Sequence, residues 1–187
     1  MKWTGILLVS VLLLLWVWRA TRISPRLAAG QTAPEFQLND QNGQTHPLQS
    51  YRGRWLVLYF YPRDATPGCT REACDFRDSL FKIQALNADV AGVSVDPTDA
   101  HARFATQHHL PFPLLADTAG RTAAAYGALF KLGPLRFARR HTFIVTPEGR
   151  LARIFRRVDP RIHAAEVVAT LEILQRTQTS SKLVPAQ

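Results

Sequence analysis

The chain has two cysteines, which lie five positions apart in the segment YPRDATPGCTREAC at 61–74. Cys69 follows a strand-like apolar run and a Pro-Gly turn, at the point where a helical pattern begins. Free N–H groups and the dipole at the start of a helix stabilise an anion, so this position favours the nucleophilic thiolate form of a cysteine. Thr66, three residues earlier, is placed to direct its hydroxyl at the sulfur or at an oxygen that reacts with it. Pro62 and Pro67 stiffen this loop and shield the sulfur from bulk water.

Cys74 is too far along the same helix to pair with Cys69 directly. In an ideal α-helix, Cα atoms five residues apart are separated by about 8.6 Å, whereas a disulfide requires roughly 4.4–6.8 Å. The two thiols can therefore bond only if the first helical turn unwinds, with Cys69 reacting first and Cys74 resolving it. From spacing alone, two small core cysteines remain an open interpretation. A zinc site or a thioredoxin-type dithiol fits less well, because a Cys-x-x-Cys clip and a nearby histidine pair are missing.

The elements that must position these thiols alternate between strand-like and helix-like patterns. The apolar run at 55–61 has strand length and no polar alternation, which predicts a central strand covered on both faces. The predicted order is β-α-β-α-(β)-α-β-β-α, which indicates an α/β sandwich with a mixed sheet and an antiparallel edge. The other predicted strands are 90–95, 114–116, 142–145 and 151–155. The predicted helices are 72–86, 98–108 with a cap at Thr98 or Asp99, 118–126 ended by Gly127, and a last helix that starts at Pro160, with Ile162, Val167, Val168, Leu171 and Leu174 on its apolar face.

Several titratable side chains receive no chemical role from these patterns. The acidic residues of the cysteine helix are interpreted as a solvated face; they are Glu72, Asp75 and Asp78. The histidines without a spaced acid or second ligand are interpreted as surface or loop residues; they are His108, His109 and His141.

The N-terminal segment predicts a membrane anchor. Residues 3–18 are 16 uncharged, mostly apolar positions, which span roughly 24 Å as a helix, against a hydrocarbon core of about 30 Å. A helix over 1–23 closes the gap if Arg19 and Arg22 snorkel to the headgroups. A cleaved signal sequence is the alternative, and the side of the membrane stays open. The predicted organisation is an anchor at 1–23, a tether at 24–29, a domain at 30–176 and a polar tail at 177–187.

The charge of the chain is uneven along its length. The net charge is +9 and the isoelectric point is about 10.4, which raises nucleic acid and anionic membranes as partners. The basic residues lie mainly at the two ends, however, and the middle that holds both cysteines is slightly acidic. Nucleic acid is not expected as a partner. The basic stretch near the C-terminus contains one aromatic residue, Phe155, whereas a nucleic-acid groove would have several aromatic residues between its basic ones. Anionic lipid or an ordinary charged face suits that stretch better; it comprises Arg150, Arg153, Arg156, Arg157 and Arg161.

The cysteine segment resembles the active-site pattern of the peroxiredoxin family. Pro62-x-x-x-Thr66-x-x-Cys69 matches that pattern, and TPGCT at 66–70 followed by EAC-x-FRD at 72–78 is similar to the Q-type branch, also called bacterioferritin comigratory protein. The similarity runs from about residue 30 to residue 145. It implies a thioredoxin-like fold with a central mixed β-sheet flanked by helices, here preceded by one N-terminal transmembrane helix. It implies no metal or other cofactor.

The resemblance also implies roles for individual residues. Cys69 would be the peroxidatic cysteine, and Cys74 would resolve its sulfenic acid into an intramolecular disulfide that thioredoxin or a similar dithiol reduces. The family arginine corresponds to Arg140, which would hold the thiolate; Arg139 would point to the opposite face. Hydrogen peroxide and organic hydroperoxides would bind among Pro62, Thr66, Gly68 and Arg140.

Two other functions remain open at this point. The domain could be a membrane-tethered thiol redox sensor, or a non-enzymatic thioredoxin-like interaction domain with structural thiols. The joint presence of Thr66, Cys69 and Arg140 favours the enzyme. A monomer or weak dimer is expected.

Overall fold

A computed structural model of the protein describes residues 27–183. Nine strands and four α-helices follow one another in this part of the chain, with a 3-10 turn at Leu48–Tyr51. The strands are β1 (Gln37–Asn39), β2 (Thr45–Pro47), β3 (Trp55–Phe60), β4 (Ala88–Ser94), β5 (Leu114–Ala116), β6 (Leu129–Leu132), β7 (Leu135–Ala138), β8 (His141–Val145) and β9 (Leu151–Phe155). The helices are α1 (Pro67–Ala85), α2 (Thr98–His108), α3 (Arg121–Ala125) and α4 (His163–Leu183).

The central sheet has five strands in the order β5-β4-β3-β8-β9. Strands β3, β4 and β5 are parallel, whereas β8 runs antiparallel to β3 and β9 runs antiparallel to β8. Every residue of β3 is buried, as expected for a strand with neighbours on both sides and layers on both faces. This architecture confirms the predicted thioredoxin-like α/β class with a mixed sheet.

Two apolar cores lie on the two faces of this sheet. Because side chains alternate along a strand, Val57 and Tyr59 face one core and Leu56 and Leu58 face the other. The first core includes the inner sides of α1, α2 and α4, among them Cys69. The second is closed by α3 and by the segment that precedes β3. The site described below lies at one end of the sheet, where β3 ends and β8 begins.

The structure corrects several predicted boundaries. Helix α1 starts at Pro67 rather than at residue 72, so Cys69 lies inside it. Helix α2 has Pro97 as its N-cap, so neither Thr98 nor Asp99 serves as the cap. Helix α3 is confined to Arg121–Ala125, because the N–H of Gly120 donates to the carbonyl of Asp117 in a turn that precedes it.

The last helix also starts later than the sequence predicts. Helix α4 begins at His163 rather than Pro160, because Asp159 accepts hydrogen bonds from the backbone N–H groups of Arg161 and Ile162 and forms a turn. Ile162 is 52% exposed, so it does not belong to the apolar face, whereas Val167 and Leu171 are buried as predicted. The helix continues through Leu183 and so extends into the segment predicted as a polar tail.

Two antiparallel hairpins were missed by the sequence patterns, β1–β2 and β6–β7. The predicted anchor over 1–23 lies outside the described residues. Between residues 27 and 183, no helix combines the length and apolar character needed to cross a membrane.

Candidate active site

Cys69 lies in the first turn of α1, directly after the loop that follows the buried strand β3. Thr66 is the N-cap of this helix and Pro67 is its first residue, a position where the missing N–H of proline costs nothing. The Cys69 side chain is 1% exposed. The backbone N–H groups of a first helical turn have no acceptor within the helix, so the sulfur lies at the positive end of the helix dipole.

Arg140 reaches this sulfur from the other side of the site. Its Nη2 donates a hydrogen bond to Cys69 Sγ at 3.2 Å, although the two residues are 71 positions apart in the chain. Burial works against the charge of Arg140, but the nearby groups of Glu72 and Cys69 raise its pKa above its ordinary value. The guanidinium is therefore a permanent positive charge beside the sulfur. Arg139 instead lies over the ring of Phe130, 5.6 Å from its centroid, which confirms that the two arginines point apart.

Glu72 is the second partner of Arg140, and the sequence patterns did not place it in the site. Its side chain is fully buried, and its Oε2 accepts a hydrogen bond from Arg140 Nη1. Burial raises the pKa of Glu72 to about 7, although the charge and hydrogen bond of Arg140 oppose the rise. The interpretation of Glu72 as part of a solvated face is wrong. Its spacing of three residues from Cys69 was the available signal, because positions i and i+3 share one helix face.

The sulfur, the guanidinium and the buried carboxylate thus form one chain of contacts. The positive charge of Arg140 lies between two groups that carry negative charge when ionised. Such an arrangement fixes the planar guanidinium in one orientation, because each end of its donor fork is occupied. One of its nitrogens is consequently held toward Cys69 Sγ.

Thr66 precedes Cys69 by three residues, at the N-cap of α1. Its hydroxyl donates a hydrogen bond to the carbonyl oxygen of Arg63 at 3.1 Å, and the side chain is half-buried. The hydroxyl is therefore directed into the loop rather than at Cys69 Sγ. Gly68 lies beside the arginine: a Cβ added there would be 3.4 Å from Arg140 Nη2 and 3.7 Å from Pro160 Cγ.

The loop between β3 and α1, which contains Pro62, is held by a buried polar network. Tyr61 donates its hydroxyl hydrogen to Asp64 Oδ1 at 2.7 Å, and His101 Nδ1 contacts Asp64 Oδ2 at 2.8 Å. The backbone N–H of Asp64 donates to Asp96 Oδ2 at 2.9 Å. Ala65 adopts a positive φ of 56°, an unfavourable conformation for a residue with a Cβ. These bonds fix the residues that precede Thr66, and none of the sequence patterns revealed them.

Cys74 lies on the same uninterrupted helix and is half-buried. Both cysteines are free thiols. With both residues in helical conformation, their separation follows the helix geometry of about 8.6 Å between Cα atoms. A bond between them therefore requires α1 to unwind locally.

His141 also differs from its sequence interpretation. It is buried at the start of β8, and burial lowers its pKa to about 4, with the charges of Arg156 and Arg139 adding to the effect. It is a neutral core histidine near neutral pH rather than a surface residue. Among residues 27–183, no group of three or more His, Cys, Asp or Glu side chains is arranged to hold a metal ion.

Comparison with known proteins identifies the family of this chain. A family model described as AhpC/TSA matches residues 29–154. Peroxiredoxin Bcp of Bacillus subtilis is 43% identical over 149 residues, which cover 76% of this chain and 94% of that protein.

Solved structures agree with this assignment. The crystal structure of peroxidoxin BcpB from Mycobacterium tuberculosis superposes with a TM-score of 0.75 and 32% identity, over 79% of this chain and 98% of that one. A Xanthomonas campestris bacterioferritin comigratory protein, whose structures concern alkyl peroxide reduction, gives a TM-score of 0.73 and 30% identity over 78% and 98% of the two chains. The chain therefore belongs to the AhpC/TSA family and, within it, to the peroxiredoxin Q/Bcp group of thiol peroxidases.

Proposed function

We propose that Cys69 is the peroxidatic cysteine of this peroxidase. The observation that carries the proposal is the 3.2 Å contact between Arg140 Nη2 and Cys69 Sγ at the start of α1. The thiolate attacks one oxygen of the peroxide, an S–O bond forms and the O–O bond breaks. Sulfur is oxidised to sulfenic acid, the peroxide is reduced by two electrons, and the leaving oxygen takes a proton to become water or an alcohol.

Arg140 has two tasks in this step. Its charge stabilises the thiolate before the reaction, and the same donors can stabilise the negative charge that develops on the leaving oxygen. Glu72 acts through Arg140 and is a positioning residue, because its bond to Nη1 orients the fork.

The peroxide is proposed to bind among Pro62, Thr66, Gly68 and Arg140. The Thr66 hydroxyl donates to the Arg63 carbonyl, so its lone pairs remain to accept a hydrogen bond from the peroxide. Gly68 leaves the space beside Arg140 Nη2 open to a small oxidant. Hydrogen peroxide and organic hydroperoxides are the proposed substrates, and the alkyl peroxide activity named for the Xanthomonas relative supports the second class.

Cys74 is proposed to resolve the sulfenic acid. Its thiol attacks the oxidised sulfur of Cys69, an S–S bond forms, and the oxygen leaves as water. The first turn of α1 must unwind for this step, because both residues belong to one helix. Thioredoxin or a similar dithiol then supplies two electrons, which restore both thiols.

Peroxide consumption with purified protein tests this mechanism. Wild type should consume hydrogen peroxide and an alkyl hydroperoxide catalytically with thioredoxin and its reductase, and Cys69→Ser should abolish consumption. Cys74→Ser should still react once and accumulate a sulfenic acid that dimedone traps. No turnover by the wild type, together with one oxidation per chain, would favour a redox sensor instead.

The disulfide needs a separate measurement. Mass spectrometry of peroxide-treated wild type should detect a peptide pair joined through Cys69 and Cys74. If oxidised protein carries only intermolecular disulfides or a sulfinic acid, the resolving role of Cys74 is wrong.

Residues 1–23 are proposed to anchor the enzyme in a membrane. The support is the uncharged run at 3–18 in the sequence, and the side on which the enzyme lies is not assigned. Extraction of membranes with alkaline carbonate distinguishes an inserted segment, which stays with the lipid, from a peripheral or cleaved one, which does not.

A further inference from the structure

The β6–β7 hairpin has two chemically different faces. Residues directly opposite each other in an antiparallel pair share one face, and successive pairs lie on opposite faces. The pairs Phe130–Phe137 and Leu132–Leu135 therefore form one face, which is wholly apolar. Leu129–Ala138 and Lys131–Arg136 form the other.

The apolar face is not covered by the rest of the described chain. Leu132 is 64% exposed, Leu135 60% and Phe137 36%. The rings of Phe130 and Phe137 stack on each other, 4.6 Å between centroids, and so form a continuous surface with the two leucines at the tip. Exposed apolar side chains that are grouped in this way are typical of sites that contact a membrane or another protein.

Positive charge lies on the other face of the hairpin and at its base. Lys131 lies directly opposite Arg136, a like-charge pair that destabilises a hairpin. Arg139 follows at the base of the hairpin, over the ring of Phe130. Within residues 27–183, none of these three cations forms a salt bridge with a carboxylate. Arg136 Nη1 donates a hydrogen bond to the carbonyl oxygen of Ala119 at 3.4 Å, which leaves its charge without a counter-charge. The hairpin therefore offers positive charges that an external anion can neutralise.

The hairpin leaves the domain at the same end of the sheet as Leu27, the first residue that the structure describes. Thr142 of β8 pairs with Phe155 of β9, and Arg156 next to it donates a hydrogen bond to the carbonyl of Leu27 at 2.6 Å. Arg139, at the base of the hairpin, lies beside the first residue of β8, His141. The N–H of His141 donates a hydrogen bond to the carbonyl oxygen of Arg139. The chain that follows the proposed anchor at 1–23 therefore joins the domain at the end from which the hairpin leaves it.

We propose that the β6–β7 hairpin docks on an anionic phospholipid bilayer. Leu132 and Leu135 enter the boundary between headgroups and acyl chains, and Lys131, Arg136 and Arg139 bind the phosphate-rich headgroup layer. A second copy of the chain suits the surface less well. It would bring like charges together, and four side chains can cover only a fraction of the roughly 800 Å² per partner that a stable interface needs.

Site-directed spin labelling of the full-length chain tests this proposal. Cys69→Ser and Cys74→Ser remove both native cysteines, and Leu135→Cys then provides one labelling position at the hairpin tip. The protein is reconstituted in vesicles of equimolar phosphatidylglycerol and phosphatidylcholine. We expect the label to collide often with oxygen, which concentrates in the bilayer, and rarely with a water-soluble nickel chelate.

A label at Ile173→Cys in the same background is the matched control, because Ile173 is also 64% exposed but lies on α4. It should show the opposite accessibility. Adding Lys131→Gln and Arg136→Gln should lower the ratio of docked to undocked hairpin by about 25-fold, since each basic residue contributes about fivefold at an anionic surface.

Three outcomes would overturn the proposal. One is equal nickel accessibility at positions 135 and 173 in the anionic vesicles. Another is docking in pure phosphatidylcholine that the two glutamine substitutions leave unchanged. The last is dipolar broadening between labels at position 135, which would assign the hairpin to contact between two copies of the chain.

Discussion

Replacing Glu72 by glutamine is expected to change how the stability of the fold depends on pH. The pKa of Glu72 rises from an ordinary value of 4.5 to about 7 in the folded protein. Between these values the folded state binds more protons than the unfolded state, so Glu72 makes the free energy of unfolding fall as pH rises. At 1.36 kcal/mol per pKa unit, the full effect is about 3 kcal/mol, of which about 2 kcal/mol falls between pH 5 and pH 8.

The assay is urea unfolding of reduced protein at pH 5 and at pH 8, for the wild type and Glu72→Gln. Glutamine keeps the shape of the side chain and a carbonyl acceptor for Arg140, but it does not titrate. From pH 5 to pH 8, the free energy of unfolding of the wild type should therefore fall by about 2 kcal/mol relative to that of Glu72→Gln. Comparing the two proteins removes contributions from other groups, among them His141.

Glu172→Gln is the matched control, because Glu172 is an exposed glutamate on α4. Its stability should follow the wild type at both pH values. If the curves of the wild type and Glu72→Gln are parallel between pH 5 and pH 8, Glu72 is not a buried, titrating partner of Arg140, and the electrostatic description of the site is wrong.

Three further changes test other parts of the structure. Arg140→Lys keeps the charge but loses the fork that joins Cys69 to Glu72; stopped-flow oxidation by peroxide should slow by about 100-fold, whereas Arg139→Lys should leave the rate unchanged. His141 has a folded pKa of about 4, below its ordinary 6.5. The free energy of unfolding of the wild type should therefore fall by about 2 kcal/mol more than that of His141→Gln between pH 7 and pH 5. Equal losses in the two proteins would contradict the burial of His141 as a neutral group. In Gly92→Ala, the new Cβ would lie 2.8 Å from the ring of Tyr59 and 3.0 Å from Leu114, so chemical denaturation should show a loss of about 1–3 kcal/mol, and unchanged stability would refute this packing.

Local patterns and the family resemblance were sufficient to predict the central strand and two residues of the site. The buried strand β3 was visible as an unbroken apolar run, and the position of Cys69 at a strand-to-helix turn followed from it. The resemblance identified Arg140, and the contact with Cys69 Sγ agrees with its implied role in holding the sulfur.

What the sequence missed depends on partners that are distant along the chain. Glu72 is separated from Arg140 by 68 positions, and a glutamate on a helix is ordinarily exposed. The i, i+3 spacing from Cys69 indicates a shared helix face, but it does not reveal the distant arginine that accompanies the burial of Glu72. The same holds for Asp64 and His101, which are 37 positions apart.

The β6–β7 hairpin was missed for a different reason. Phe130, Leu132, Leu135 and Phe137 alternate as a strand pair should, around a Gly-Pro turn. Each alternating run spans only four residues, the shortest length at which alternation predicts a strand.

The position of both cysteines on one continuous helix ties helix stability to redox potential. Closing the proposed disulfide requires the first turn of α1 to open, so the free energy that holds this turn together opposes oxidation of the thiol pair. A substitution that strengthens the turn should therefore raise the reduction potential, by about 30 mV for each 1.4 kcal/mol in a two-electron couple. The donor that can recycle this enzyme is thus selected partly by how firmly Pro67 and its neighbours hold the start of α1.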